Sequence, residues 1–344
     1  MKKAKPPAKN WRAVTTFLRA AFLLALVAPL GYAIYQQWAE VRQVLAQVNW
    51  LQASLGWVIL MLAQPFMGAI SWIVLRYLKQ DFAYWRITAV YFISQAAKYL
   101  PGGIWAFPGR VAAYQAIGVE KSASVISLVQ EVGALFLGAA TLGIIGIFNG
   151  LLIENWVRTA ALAGAFVCLA ATLFSQHPLT WKALAQARRA SEALKFKLKS
   201  GKRQPTEEVD QVTSAPRGES PPGTFSIAWA PASLLTSLMF WLLVGVGFYY
   251  LAISVAPQLR LLSWLQAASI FALAWCAGFV IVLAPAGLGV REAALSGLLA
   301  AYIPLSEALS VALMARLWWT LGEALFILIS LAWASTNAHW NVRR

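Results

Sequence analysis

Residues 84–118 read YWRITAVYFISQAAKYLPGGIWAFPGRVAAYQAIG, and residues 264–303 read WLQAASIFALAWCAGFVIVLAPAGLGVREAALSGLLAAYI. Both stretches are apolar, and both are cut. The first carries Pro101, Gly102, Gly103, Pro108 and Gly109; the second carries Pro285, Gly287 and Gly289. Proline removes a backbone donor and clashes with the preceding turn, so neither stretch continues as one helix. The pieces of the first stretch, and residues 290–303 of the second, fall short of the roughly 20 residues that cross a bilayer core. Broken backbone survives at membrane depth only where protein or water satisfies its polar groups. The pattern therefore predicts two helical hairpins, at 84–118 and 264–303, that enter the bilayer and turn back.

The rest of the chain fits a membrane protein. Of 344 residues, 60% are hydrophobic and 12% charged, against about 25% charged in a soluble domain. Unbroken apolar runs near 17–35, 51–75, 132–148, 160–174 and 232–255, with a helix at 307–335, predict six crossings. Among the 17 Trp and 10 Tyr, Trp38, Trp50, Trp156, Trp181, Trp229, Trp264 and Trp340 lie at run ends. An amphipathic ring suits the headgroup layer there. The basic start MKKAKPPAKNWR precedes an apolar stretch longer than a signal-peptide core, which predicts an uncleaved first helix.

The net charge of +15 collects between the apolar runs. That placement reads as topogenic charge and contact with anionic lipid, and no recognition motif points to nucleic acid. Residues 176–226 form the longest polar stretch. Its first part, with Lys182, Arg188, Arg189, Lys195, Lys197 and Lys199, predicts a basic amphipathic helix on the inner leaflet; its remainder has linker composition. A cytoplasmic loop here requires one of the first five apolar segments not to cross, and 84–118 is that segment. The expected organisation is a basic tail (1–13), a first membrane half (14–175), the basic cytoplasmic loop (176–226), a second membrane half (227–336) and a cytoplasmic tail (337–344). The fold is expected to be all-α and polytopic, with both termini cytoplasmic. VEKSASVISLVQEV (119–132) lies over PLSEALSVALMARL (304–317), each after a Pro/Gly break and a short helix. With the hairpins entered from opposite sides, this predicts an inverted repeat, whose interrupted segments point to a transport site.

Seven ionisable residues sit in or beside the membrane segments: Lys98, Arg110, Glu131, Arg291, Glu292, Arg316 and Glu323. Each costs at least about 2.5–3.5 kcal/mol at bilayer depth, so such groups face a cavity or pair with one another. One reading is a set of ion pairs joining helices, with Glu131 and Arg316 as such a pair. The other is a binding site for a lipid head group. Four cations against three carboxylates leave a positive balance suited to a phosphorylated lipid, and the start of the short helix after Gly289 attracts an anion. Cys168 and Cys276 lie within apolar runs, and His177 and His339 are far apart in sequence, so no metal or disulfide is expected. No Ser-His-Asp set, HExxH motif, P-loop or aspartate cluster occurs, which predicts a non-enzyme without cofactor.

At KYLPGG (98–103), PGR (108–110), Glu131 and PAGLGVREA (285–293) the chain resembles the flippase-like family of the lysylphosphatidylglycerol synthase membrane domain, over roughly residues 15–335. The resemblance implies a multi-pass protein of the bacterial inner membrane that translocates a phospholipid or other phosphorylated lipid. In the larger synthases a separate cytosolic domain performs aminoacyl transfer. The chain is expected to lack that domain. The alternatives are a non-catalytic membrane partner of a lipid-modifying or glycosyl-transferring enzyme, and an integral-membrane lipid transferase acting through Glu131 or Glu323.

Overall fold

The computed structural model describes residues 35–36, 38–99, 105–151, 229–280 and 289–336. The expected crossings at 14–35 (apart from its last residue) and 160–174, the loop 176–226, both tails, and Pro101, Gly102, Pro285 and Gly287 lie outside the described residues.

Every regular element among the described residues is helical. In chain order these are α1 (Trp38–Ala46), α2 (Trp50–Tyr77), α3 (Tyr84–Gln95), a 3-10 turn (Ala96–Tyr99), α4 (Ala106–Ala116), α5 (Lys121–Phe148), α6 (Trp229–Val255), a second 3-10 turn (Pro257–Leu261), α7 (Trp264–Val280), α8 (Val290–Leu299) and α9 (Leu305–Thr336). The helices α2, α5, α6 and α9 have 28, 28, 27 and 32 residues. At 1.5 Å per residue they are about 40–48 Å long, enough to cross a bilayer. They are four of the six crossings expected. Stretch 36–50, between the first two apolar runs, contains α1. Its Val41 is fully buried, with Val44 and Leu45 packed on the same core, so an i, i+3, i+4 apolar face forms despite Glu40 and Arg42.

Directions follow from the hydrogen bonds at the helix ends. The Asn49 amide donates to the Ser254 carbonyl (2.9 Å), so α2 starts where α6 stops. The Gln266 side chain donates to the Asn149 carbonyl (2.9 Å), which places the end of α5 beside the start of α7. Gln258 donates to Glu307 (3.2 Å), which adds the start of α9. These groups define one end of the bundle. At the other, the Glu120 amide donates to the Gln80 side chain (3.2 Å), and the Trp72 indole donates to the Phe82 carbonyl (3.0 Å). There α2 stops, α3 starts, α4 stops and α5 starts. The pair α3–α4 thus begins and ends at one end of the bundle, and α7–α8 begins and ends at the opposite one. Near the bundle interior Phe107 of α4 meets Phe279 of α7, ring centroids 6.4 Å apart.

Within lipid there is little hydrophobic drive between helices, so close approach and interhelical hydrogen bonds do the joining. The most extensive pairing is α2 with α6. It crosses at Gly56 and Gly247, where a Cβ on Gly56 would collide with the Gly247 carbonyl. Ser237 and Trp241 of α6 donate to the carbonyls of Ala134 and Leu135 on α5, each at 2.8 Å, and Ser269 of α7 donates to Leu142 (2.6 Å). Outward, α2 exposes Leu51, Leu55, Val58 and Leu62, and α9 exposes Leu317, Leu321, Leu325, Leu328 and Leu331. Such leucine-rich faces suit acyl chains and not water.

Candidate functional site: two groups of buried charge

The hairpin helices bring all seven expected residues into the interior. Arg110 on α4, Glu131 on α5, Arg291 and Glu292 on α8, and Glu323 on α9 are buried; Lys98 and Arg316 keep 17% and 16% of their side-chain surface exposed.

The seven divide into two groups. In the first, Arg110 forms an ion pair with Glu131. Its Nε donates to Ser94 (3.0 Å) and its Nη2 to the Gln95 side-chain oxygen (2.7 Å). The guanidinium lies 4.0 Å from the Tyr91 ring centroid, a cation–π geometry. The second Glu131 oxygen accepts from Ser71 of α2. Four helices, α2, α3, α4 and α5, therefore supply groups to one closed network. A buried pair satisfied in this way is costly to break.

The second group lies at the meeting of the two halves. Lys98, in the 3-10 turn after α3, forms an ion pair with Glu323 of α9. The Trp319 indole donates to the same Glu323 oxygen (2.8 Å). The Arg291 guanidinium lies over the rings of both Trp319 (4.6 Å) and Phe271 (4.5 Å), which pack against each other. Arg316 faces Glu292 at 3.4 Å, and Arg316 and Arg291 both lie within electrostatic reach of Lys98. Phe271 and Trp319 also line a small apolar recess, with Leu60, Phe248, Ala315 and Trp318. The positive balance read from the sequence resides wholly here: three cations stand against two carboxylates, while the first group is neutral.

Two expectations are corrected. Glu131 and Arg316 do not pair with each other. Each pairs within its own half with the short helix that precedes it, because that helix packs back against the long one that follows. Positions 131 and 316 coincide in the alignment of the two halves, so the same contact is made twice with the charges exchanged. Second, the start of α8 is not an open anion site. The Gly289 amide donates to Glu292 of the same helix (2.7 Å), which caps it. Of the Pro and Gly positions read as breaks, Pro108, Gly109 and Gly289 are described: Pro108 and Gly109 lie inside α4, whose first turn accepts a proline, and do not break it, whereas Gly289 has a φ of +84°, a conformation that favours glycine.

Residues 16–322 match the family described as the lysylphosphatidylglycerol synthase TM region. The chain belongs to that family. Membership makes it a membrane protein related to lipid modification or translocation. The match spans both groups of charge except Glu323, one residue past its end. A search among curated proteins finds no match. Family membership agrees with the leucine-rich outer faces and with ionisable groups held inward. Among the described residues no group of three or more His, Cys, Asp or Glu stands close enough to hold a metal ion.

Sequence reading did not single out Ser71, Tyr91, Ser94, Phe271 or Trp319. Ser71 and Ser94 carried a faint signal, as polar residues within apolar helices. The two rings at Arg291 carried none, since an aromatic in a membrane helix is ordinary.

Proposed function

We propose that this protein translocates a phospholipid or other phosphorylated lipid across the bacterial inner membrane, as a flippase-like carrier without covalent chemistry or cofactor. The observation that carries the reading is the pair of interrupted hairpins that open at opposite ends of the bundle and bring charged groups together where their halves meet. On this reading α3–α4 and α7–α8 are re-entrant hairpins of an inverted repeat, and the head group passes between them while the acyl chains stay in lipid. Such repeats place the binding site at their interface and alternate its access by rocking one against the other. Both termini and the loop 176–226 then face the cytoplasm, and the partners are membrane lipids.

The test is reconstitution of the full chain in liposomes carrying a fluorescent phospholipid, followed by dithionite quenching of the outer leaflet. Protein-dependent exchange that falls on Arg291→Ala is expected. Exchange no faster than in protein-free liposomes refutes the reading; co-purification of a stoichiometric lipid-modifying enzyme in that case favours a scaffold role.

A further inference from the structure

We infer that the phosphate of the lipid head group binds in the Lys98–Arg291–Arg316 group, and that it does so by displacing Glu292 from Arg316. This deepens the translocation reading and rests on it. The Arg110–Glu131 pair then serves as a fixed latch.

The two ion pairs that repeat between the halves are made with very different quality. Arg110 donates to three side chains and its pair is closed from solvent. Glu292 and Arg316 stand 3.4 Å apart, with Arg316 16% exposed, beyond the roughly 2.7–2.9 Å of a charge-assisted hydrogen bond. The Glu292 oxygen facing Arg316 is buried and makes no hydrogen bond among the described residues. A carboxylate desolvated without that bond is the counter-ion whose release costs least. Its other oxygen accepts from the Gly289 amide at the start of α8.

Charge balance leads the same way. Among the described residues, Lys98, Arg291 and Arg316 against Glu292 and Glu323 leave one net positive charge. A phosphodiester carries one negative charge and balances the group. Once Glu292 swings away, the phosphate meets Arg316 directly, with Lys98 and Arg291 within electrostatic reach. Lys98 comes from the first half and the arginines from the second, so an anion held there contacts both halves of the molecule.

The test uses the full chain in uncharged detergent, titrated with dihexanoyl phosphatidylglycerol, with dihexanoyl glycerol and with inorganic phosphate. Trp319 touches both Glu323 and Arg291, so its fluorescence reports occupancy, and Trp319→Phe identifies its share. Phosphatidylglycerol alone should change the signal. Glu292→Gln keeps an oxygen for Gly289 but removes the competing charge; it should bind about tenfold more tightly, a gain of roughly 1.4 kcal/mol. Arg316→Met and Lys98→Met should each bind about tenfold more weakly, and surface Arg76→Gln should bind as wild type. Thermal unfolding of each variant confirms that it is folded, and Glu323→Gln, which should also bind more tightly, provides a second acidic variant. Weaker or unchanged binding in both acidic variants overturns the displacement, as does inorganic phosphate binding as tightly as the lipid. Charge-dependent binding without lipid exchange leaves the site standing and removes the translocation reading; exchange without charge-dependent binding does the reverse.

Discussion

Removing Glu131 should reveal how strongly the first hairpin is held. In Glu131→Leu the Arg110 guanidinium keeps Ser94, Gln95 and the Tyr91 ring but loses its counter-ion, and Ser71 loses its acceptor. An uncompensated buried cation costs about 3–5 kcal/mol, and the orphaned hydroxyl adds about 1 kcal/mol. Arg110→Met leaves the carboxylate with Ser71 alone and should cost a similar 3–5 kcal/mol. The double variant removes both charges together and fills the space with apolar groups, so its stability should fall within roughly 1–2 kcal/mol of the parent. The singles therefore sum to at least about 6 kcal/mol while the double loses far less, a coupling of several kcal/mol. Equilibrium unfolding of the purified chain in mixed micelles, titrated with a denaturing detergent, measures all three. If the double variant loses the sum of the singles, Arg110 and Glu131 act independently, and the closed network does not clamp α4 to α5.

Other outcomes follow from packing and direction. Gly56→Ala forces a methyl group against the Gly247 carbonyl and should lower stability by about 1–3 kcal/mol in the same unfolding assay. Trp241→Phe keeps an aromatic ring but removes the interhelical indole bond to the Leu135 carbonyl, at a cost of about 1 kcal/mol. Gln64 is fully buried on α2, and neither of its amide atoms is hydrogen-bonded among the described residues. Gln64→Leu should therefore raise stability by about 1–3 kcal/mol, and a loss would show that the amide has a partner. Single cysteines at Lys79 and Glu120 should label from one side of the membrane and one at Gln258 from the other; labelling of all three from the same side would refute the opposed hairpins. A cysteine near residue 190 should resist periplasmic reagents.

Much of the architecture is legible in the letters because bilayer physics is strict. An apolar run of 25–30 residues has essentially one stable form in lipid, a helix, since every backbone group must bond within the segment. A proline in a helix interior removes a backbone bond and disfavours that form, although Pro108 sits in the first turn of α4 and Pro65 inside α2 without ending either helix. The inward placement of Lys98, Glu131 and Glu323 follows from the same argument, because charge on a lipid-facing surface is expensive. Helix α1 escaped because Glu40 and Arg42 mask a short apolar face that only α9 and the core make visible.

Which charge meets which was decided by tertiary structure. Glu131 has four cations of suitable kind in the membrane, and sequence separation does not rank them. Arg110 is its partner because α4 folds back beside α5 while Ser71, Ser94 and Tyr91 arrive from α2 and α3 to complete the shell. The difference between a closed pair there and a loose one at Glu292–Arg316 depends on side-chain separations set by helices distant in the chain. Coulomb interactions and hydrogen bonds fall off over such distances, so the step from seven charged letters to one latch and one positively charged group is made only by packing.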